Sequence, residues 1–197
     1  MQITDKNTLR KFYKKLRKDM SLSQRRIYDM QIFENVIKLD AFKNSNKVLV
    51  YISSEIEVDT FAIICYALKM GKKVFAPKCV SDSNNMFFYE IKSFDDLEQG
   101  SFKIFEPKEY CQMIVDFNDT CCIVPALAYD KRGYRLGFGK GFYDKFLCKF
   151  SGEKIGICYD NCVCSKLPND EFDVSVDWLV TENRIVNLND FVISTNF

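Results

Sequence analysis

The order of elements along this chain predicts an α/β protein, with one mostly parallel central sheet flanked by helices in a Rossmann-like three-layer arrangement. Short apolar runs at 47–52, 73–76, 121–124 and 154–159 read as strands, and helical stretches separate several of them. That alternation is what builds parallel sheets. A glycine-rich segment follows the third run directly, the position where α/β sheets put their ligand loops. At 197 residues the chain is long enough for a substantial core and is read as a single domain over 1–197. N-terminal helices at about 5–39 pack on an α/β core at about 47–182 in this reading.

Thr4 or Asp5 can cap a first helix over 6–19, whose Leu9, Phe12, Tyr13 and Leu16 recur at helical spacing and face inward. Its other side carries Lys6, Arg10, Lys14 and Arg17; Lys14 and Arg17 are read as a solvated face. Ser23 can cap a second helix running to about Leu39, with Ile27, Met30, Phe33 and Ile37 as its buried stripe. The strand at 47–52 leads into a polar loop, and Asp59 or Thr60 caps a third helix that ends before Gly71. Pro77 stops the strand at 73–76. Next come a turn at 81–85, a strand at 86–90, a short helical turn at 93–97 and an irregular stretch at 100–110. Pro125 ends the strand at 121–124, and a helix runs from about Gly141 to Phe150. A strand at 154–159, a loop at 161–172 and a last strand at 178–181 complete the order.

Composition excludes several function classes. Net charge of +1 gives no electrostatic case for nucleic acid or an anionic membrane. No apolar run approaches the ~20 residues of a spanning helix, and the charged, periodic N-terminus is no signal peptide. The chain has no histidine, which removes a Ser-His-Asp triad and imidazole acid–base chemistry. Its nine cysteines include no C-x-x-C pair, so they read as reduced, buried thiols of a cytoplasmic protein.

The segment 125–144 contains Gly133, Gly137, Gly139 and Gly141, four of the eight glycines in the chain. Strand, glycine-rich loop and helix together favour an anion through loop amides and the helix N-terminus. Arg135 and Lys140 add two cations, and Asp144 adds a carboxylate in the first helical turn. The segment is not a P-loop, because Gly141 follows Lys140 where Ser or Thr is required. The dinucleotide pattern G-x-G-x-x-G would start at Gly137 and fails at Phe142.

In register, Pro125, Ala128, Tyr129, Asp130, Gly133, Arg135, Leu136, Gly137, Gly139, Gly141, Phe142, Tyr143 and Asp144 resemble the signature of the 5-formyltetrahydrofolate cyclo-ligase family, also called methenyltetrahydrofolate synthetase. Ala126, Tyr129 and Phe142 depart from the family's Gly, Phe and Tyr. The resemblance extends from about Lys6 to Glu182. It includes Lys6 and Arg10 as a Lys-x-x-x-Arg pair, and the loop 51–60, where Glu57 matches a folate-contacting glutamate. It also includes the turn 167–173, where Phe172 replaces a frequent His and Asp173 is kept.

The resemblance implies ATP-dependent closure of 5-formyltetrahydrofolate to 5,10-methenyltetrahydrofolate by a monomer. It implies catalytic roles for Arg135, Lys140 and Tyr143. ATP contacts are implied for Lys6, Arg10, Arg135, Gly137, Gly139, Lys140, Gly141, Phe142, Tyr143 and Asp144. Folate contacts are implied for Ile52, Glu57, Phe102 and Phe138, and Mg²⁺ ligation for Asp144 and Asp173. Two other classes fit a scaffold of this kind: a non-catalytic reduced-folate or nucleotide binder, and a sugar-phosphate or acyl-CoA enzyme, since fold alone does not fix chemistry.

Overall fold

The strand Thr120–Pro125 is buried at every position, the pattern of a strand covered on both faces, and it lies at the middle of the sheet. The computed structural model describes residues 5–80, 83, 85–100 and 104–189. In chain order the elements are α1 (Lys6–Lys18), α2 (Leu22–Val36), α3 (Asp40–Lys43), β1 (Lys47–Val50), α4 (Phe61–Lys69), β2 (Lys73–Val80) and β3 (Asn85–Ile91). Then follow β4 (Leu97–Gln99), β5 (Phe105–Pro107), β6 (Thr120–Pro125), β7 (Ala128–Asp130), β8 (Arg135–Leu136), α5 (Phe142–Leu147), β9 (Glu153–Ile157), β10 (Val163–Cys164), β11 (Trp178–Val180) and β12 (Ile185–Asn187).

Among the described residues, seven strands form one sheet in the order β12-β11-β9-β6-β1-β2-β3. The pairs β11–β9, β9–β6, β6–β1 and β1–β2 are parallel, and the edge strands β12 and β3 are antiparallel. From β1 the chain passes through α4 to β2 on one side; from β6 it passes through α5 to β9 on the other. Right-handed crossovers in opposite directions put α4 and α5 on opposite faces of the sheet. The strand order therefore reverses between β1 and β6, and the loops leaving those two strands open a crevice at their C-terminal ends. In doubly wound sheets that crevice is where ligands bind.

Several elements differ from the expectations. Phe12 is 53% exposed while Arg17 is 1% exposed, so α1 buries an arginine from the side read as solvated. Ser21, not Ser23, caps α2, its hydroxyl accepting from Gln24 N. That helix buries Ile32 and Val36 and leaves Ile27 and Met30 exposed. Apolar residues lie all around it, so periodicity alone could not choose the face. β2 continues through Pro77 to Val80. Its pairing with β1 stops at Phe75, so Pro77 lacks a neighbour on the side where its missing N–H would matter. The irregular stretch contains the β4–β5 hairpin, the glycine-rich loop opens with the β7–β8 hairpin, and β12 adds a strand. The helix after the loop covers only Phe142–Leu147, shorter than expected.

Candidate active site

The loop after β1 is fixed by its own polar groups. Thr60 Oγ1 donates to Tyr51 O and Tyr51 Oη donates to Val58 O. Glu57 is held inside this loop, with Oε2 accepting from Ser54 N at 2.8 Å and Ser54 Oγ at 2.6 Å. Among the described residues no hydrogen bond occupies Oε1. Ile52 and Ser53, from the same loop, line a cavity of about 270 Å³ with Thr60, Phe61 and Phe94. Ser54 was missed in the sequence; the only signal was its place three residues before the acid.

The loop after β6 begins at the β7–β8 hairpin. Asp130 is fully buried and accepts from Arg132 N, Nε and Nη2, from Tyr134 N and from Leu167 N. Arg132 also donates to Leu167 O and Asn169 Oδ1. These bonds carry the 167–173 turn to the side of the glycine-rich loop. Asp130 is a signature position, but its partners across the chain, Leu167 and through Arg132 also Asn169, carry no local sequence signal. Beyond β8, Gly139 and Gly141 take φ of +101° and +72°, which L-residues rarely adopt. A Cβ on Gly139 would lie 3.2 Å from Arg10 Cζ, so this glycine lets the guanidinium lie against the loop. Arg10 Nε donates to Gly137 O at 2.9 Å. Lys140 is exposed on the same loop and Phe138 lies below Lys14, whose Nζ is 5.4 Å from the ring centre.

Acids and cations meet beside this loop. Lys6, at the start of α1, pairs with Asp173 at 2.7 Å and with Asp170 at 3.2 Å. Arg135 pairs with Asp144 and donates from Nη1 to Val174 O, joining the first turn of α5 to the 167–174 segment. The Arg135 side chain is 3% exposed and both its arms are bonded within the protein. A direct phosphate contact from Arg135 is therefore not what the geometry offers; it positions Asp144. Burial pushes the Asp144 carboxyl up, Arg135 opposes that, and the nearby Asp173 adds to it. Asp173 is near enough to act on the Asp144 charge, while Lys6 pairs with Asp173 and Arg135 pairs with Asp144. Phe142 packs against the core. Tyr143 has its phenol oxygen buried with no partner among the described residues, and burial raises its pKa. Phe102 lies outside the described residues.

The helix dipole adds little here, because α5 has six residues. The groups on and beside this loop that suit an anion are its amides and the cations Lys6, Arg10 and Lys140. Among the described residues no cluster of three or more metal-ligating side chains occurs. Two carboxylates that influence one another, as Asp144 and Asp173 do, would suit a hard cation that takes its other ligands from water or a phosphate, as Mg²⁺ does. A larger cavity, about 590 Å³, opens at the opposite end of the sheet, beside Phe42, Lys43, Tyr66 and Lys72. It gathers no acid and no glycine loop, and Lys72 is spent on the carbonyls of Lys43 and Ser45. The crevice at the strand reversal has the chemistry.

Fold and site define a class: an α/β protein with a glycine-rich anion loop, cations and paired acids at the switch point of a parallel sheet. The chain belongs to the 5-formyltetrahydrofolate cyclo-ligase family, whose model matches residues 2–182. It is similar to the NMR structure of Aquifex aeolicus 5,10-methenyltetrahydrofolate synthetase, with 36% identity, a TM-score of 0.83, and coverage of 94% of this chain and 93% of that one. A 5,10-methenyltetrahydrofolate synthetase from Mycoplasma pneumoniae matches with 26% identity and a TM-score of 0.73, over 91% of this chain and 99% of that one. The 5-formyltetrahydrofolate cyclo-ligase of Mus musculus is 27% identical over 190 residues, 90% of this chain and 94% of its own.

Proposed function

We propose that this protein catalyses the ATP-dependent closure of 5-formyltetrahydrofolate to 5,10-methenyltetrahydrofolate, releasing ADP and phosphate. The observation that carries the reading is the pairing of β1 with β6, which sets the Glu57 loop beside the glycine-rich loop at the strand reversal. A pterin on the first loop and a triphosphate on the second would then be neighbours.

The formyl oxygen is a poor leaving group. Its attack on the γ-phosphorus, with ADP leaving, turns it into a phosphate ester on a carbon made electrophilic by nitrogen 5. Nitrogen 10 then attacks that carbon, the ring closes, phosphate leaves, and nitrogen 10 loses its proton. No protein nucleophile is needed, which suits a chain without histidine. Such a reaction needs phosphate positioning, charge neutralisation and proximity.

Lys6, Arg10, Lys140 and the amides of 137–141 would hold the phosphates, with Arg135 acting through Asp144. Mg²⁺ would be held by Asp144 and Asp173, and it supplies neutralisation of phosphate charge. Lys6, now paired with Asp173, would also be within reach of a phosphate on the loop. Glu57 would accept from the pterin N–H groups, and Ile52 and Phe138 would pack on the folate. All nine cysteines are free, which fits a reducing cytoplasmic setting, and no described helix is long and apolar enough to cross a membrane. We place the protein in the cytoplasm, where thiols stay reduced, and take it as a monomer from the family resemblance.

The test is phosphate release with each substrate omitted in turn. One phosphate should appear per folate consumed, and none without both substrates. Tight folate binding with no phosphate release would make the protein a binder instead.

A further inference from the structure

Arg17 is the largest of the fully buried side chains, 1% exposed, yet its two terminal nitrogens are bonded to backbone oxygens rather than to an acid. Nη1 donates to Ile56 O at 3.0 Å and Nη2 donates to Ala126 O at 2.6 Å. Its Nε has no partner among the described residues, and the guanidinium carbon lies 5.4 Å from the centre of the Tyr159 ring. A buried cation with no acid to pair it is expensive to keep. The two carbonyls explain where it is spent. Ile56 precedes Glu57 on the loop after β1, and Ala126 follows the last residue of β6, where the glycine-rich segment begins. The guanidinium therefore spans the crevice at the strand reversal from beneath, joining the two loops that the active site needs in register.

Neighbouring side chains reinforce one end of the strap. Arg25 Nη2 donates to Glu57 O at 3.1 Å, and Asp29 Oδ1 accepts from Asp59 N at 3.2 Å. Both also bond Tyr159 Oη, just beyond β9; of these three side chains, only Arg17 donates to the start of the loop after β6. The planar fork is what allows two carbonyls on different loops to be held at once, and a lysine ammonium on a flexible stem could not hold both in fixed geometry.

We propose that Arg17 is a positioning residue: by bridging Ile56 O and Ala126 O it sets the distance between the Glu57 loop and the glycine-rich loop, and so between the two bound substrates. The inference rests on the function proposed above for its kinetic consequence, but not for the bridge itself. Loss of alignment between reactants affects turnover more than the binding of either one, and a shift of about 1 Å can cost about 10²-fold.

The experiment combines kinetics with amide exchange on the full chain. In Arg17→Lys, kcat should fall tenfold or more while KM for 5-formyltetrahydrofolate and KM for ATP each change less than threefold. Guanidinium ion at millimolar concentration should restore part of kcat in Arg17→Ala and leave Arg17→Lys unchanged. Exchange should quicken in segments 53–60 and 126–128 and remain unchanged in β9 and β11. Wild-type kcat in a folded Arg17→Lys, or faster exchange spread evenly over the sheet, would overturn the proposal. If neither variant folds, wild-type protein decides it: the amides of Glu57 and Leu127 should share one opening free energy, and clearly unequal openings contradict the bridge. A wild-type protein that turns over no folate would defeat the functional reading while the exchange data still judge the bridge.

Discussion

Glu57 is oriented before any ligand arrives, because Ser54 occupies one carboxylate oxygen twice and the other is left for a partner. Glu57→Ala would leave buried pterin donors unpaired, a loss of about 1–3 kcal/mol. The expected result is a folate KM raised roughly tenfold or more with the ATP KM nearly unchanged; an equal rise in both would mean a structural role only. Asp144 gives a pH-dependent outcome. Its pKa is raised by burial, so in the free protein it takes up a proton at a higher pH than the ordinary ~3.9. Mg²⁺ needs the carboxylate, and proton and metal compete for it. Magnesium affinity should therefore weaken as pH falls through that raised pKa, and Asp144→Asn should abolish this acid limb along with most turnover. A limb that survives the substitution would clear Asp144 of metal binding. Asp144 and the glycines could be named from the sequence because the signature keeps them adjacent in the chain, and Glu57 and Asp173 because the resemblance extends to their separate loops. Arg17 could not: in the linear pattern it is one more cation in a charged stripe, and only the packing of α1 over the crevice makes it interior.

The glycine-rich loop works through backbone shape as much as through charge. A side chain at Gly139 meets both an unfavourable φ and the Arg10 guanidinium. Gly139→Ala should cost about 1–2 kcal/mol of stability from the left-handed backbone. It should also raise the ATP KM several-fold more than the folate KM. Thermal unfolding and steady-state kinetics check this together, and an unchanged ATP KM would remove the loop from phosphate binding. The strands at the centre were legible from their apolar runs, and β6 was bounded within a residue or so. The β7–β8 hairpin was not, since its two-residue strand carries no alternation and glycines suggested a loop throughout. β2 was cut short at Pro77 because the rule about proline in sheets depends on which neighbour is present, and that is a tertiary fact. The same holds for β12, whose turn depends on Thr181 Oγ1 accepting from Asn183 N and Arg184 N.

Taken together, the sheet delivers two loops to one crevice, and most of the thiols are buried or half-buried. Cys121 lies wholly buried in β6 with its pKa pushed up to about 12, and Cys65 and Cys148 are the exposed ones. Alkylation restricted to those exposed thiols should leave turnover within about twofold; complete loss that substrate prevents would point to covalent chemistry. Ligands that bind only the folded state raise its stability by mass action, about 2.7 kcal/mol at a hundred times Kd. Mg²⁺ with ATP should therefore raise Tm, and Asp173→Asn should reduce that rise. The most direct measurement is the near-ultraviolet absorbance of the methenyl product after purified protein is mixed with 5-formyltetrahydrofolate, Mg²⁺ and ATP. Absorbance should grow with enzyme concentration and stay flat when ATP is withheld. Flat absorbance with every component present and the protein folded would contradict it.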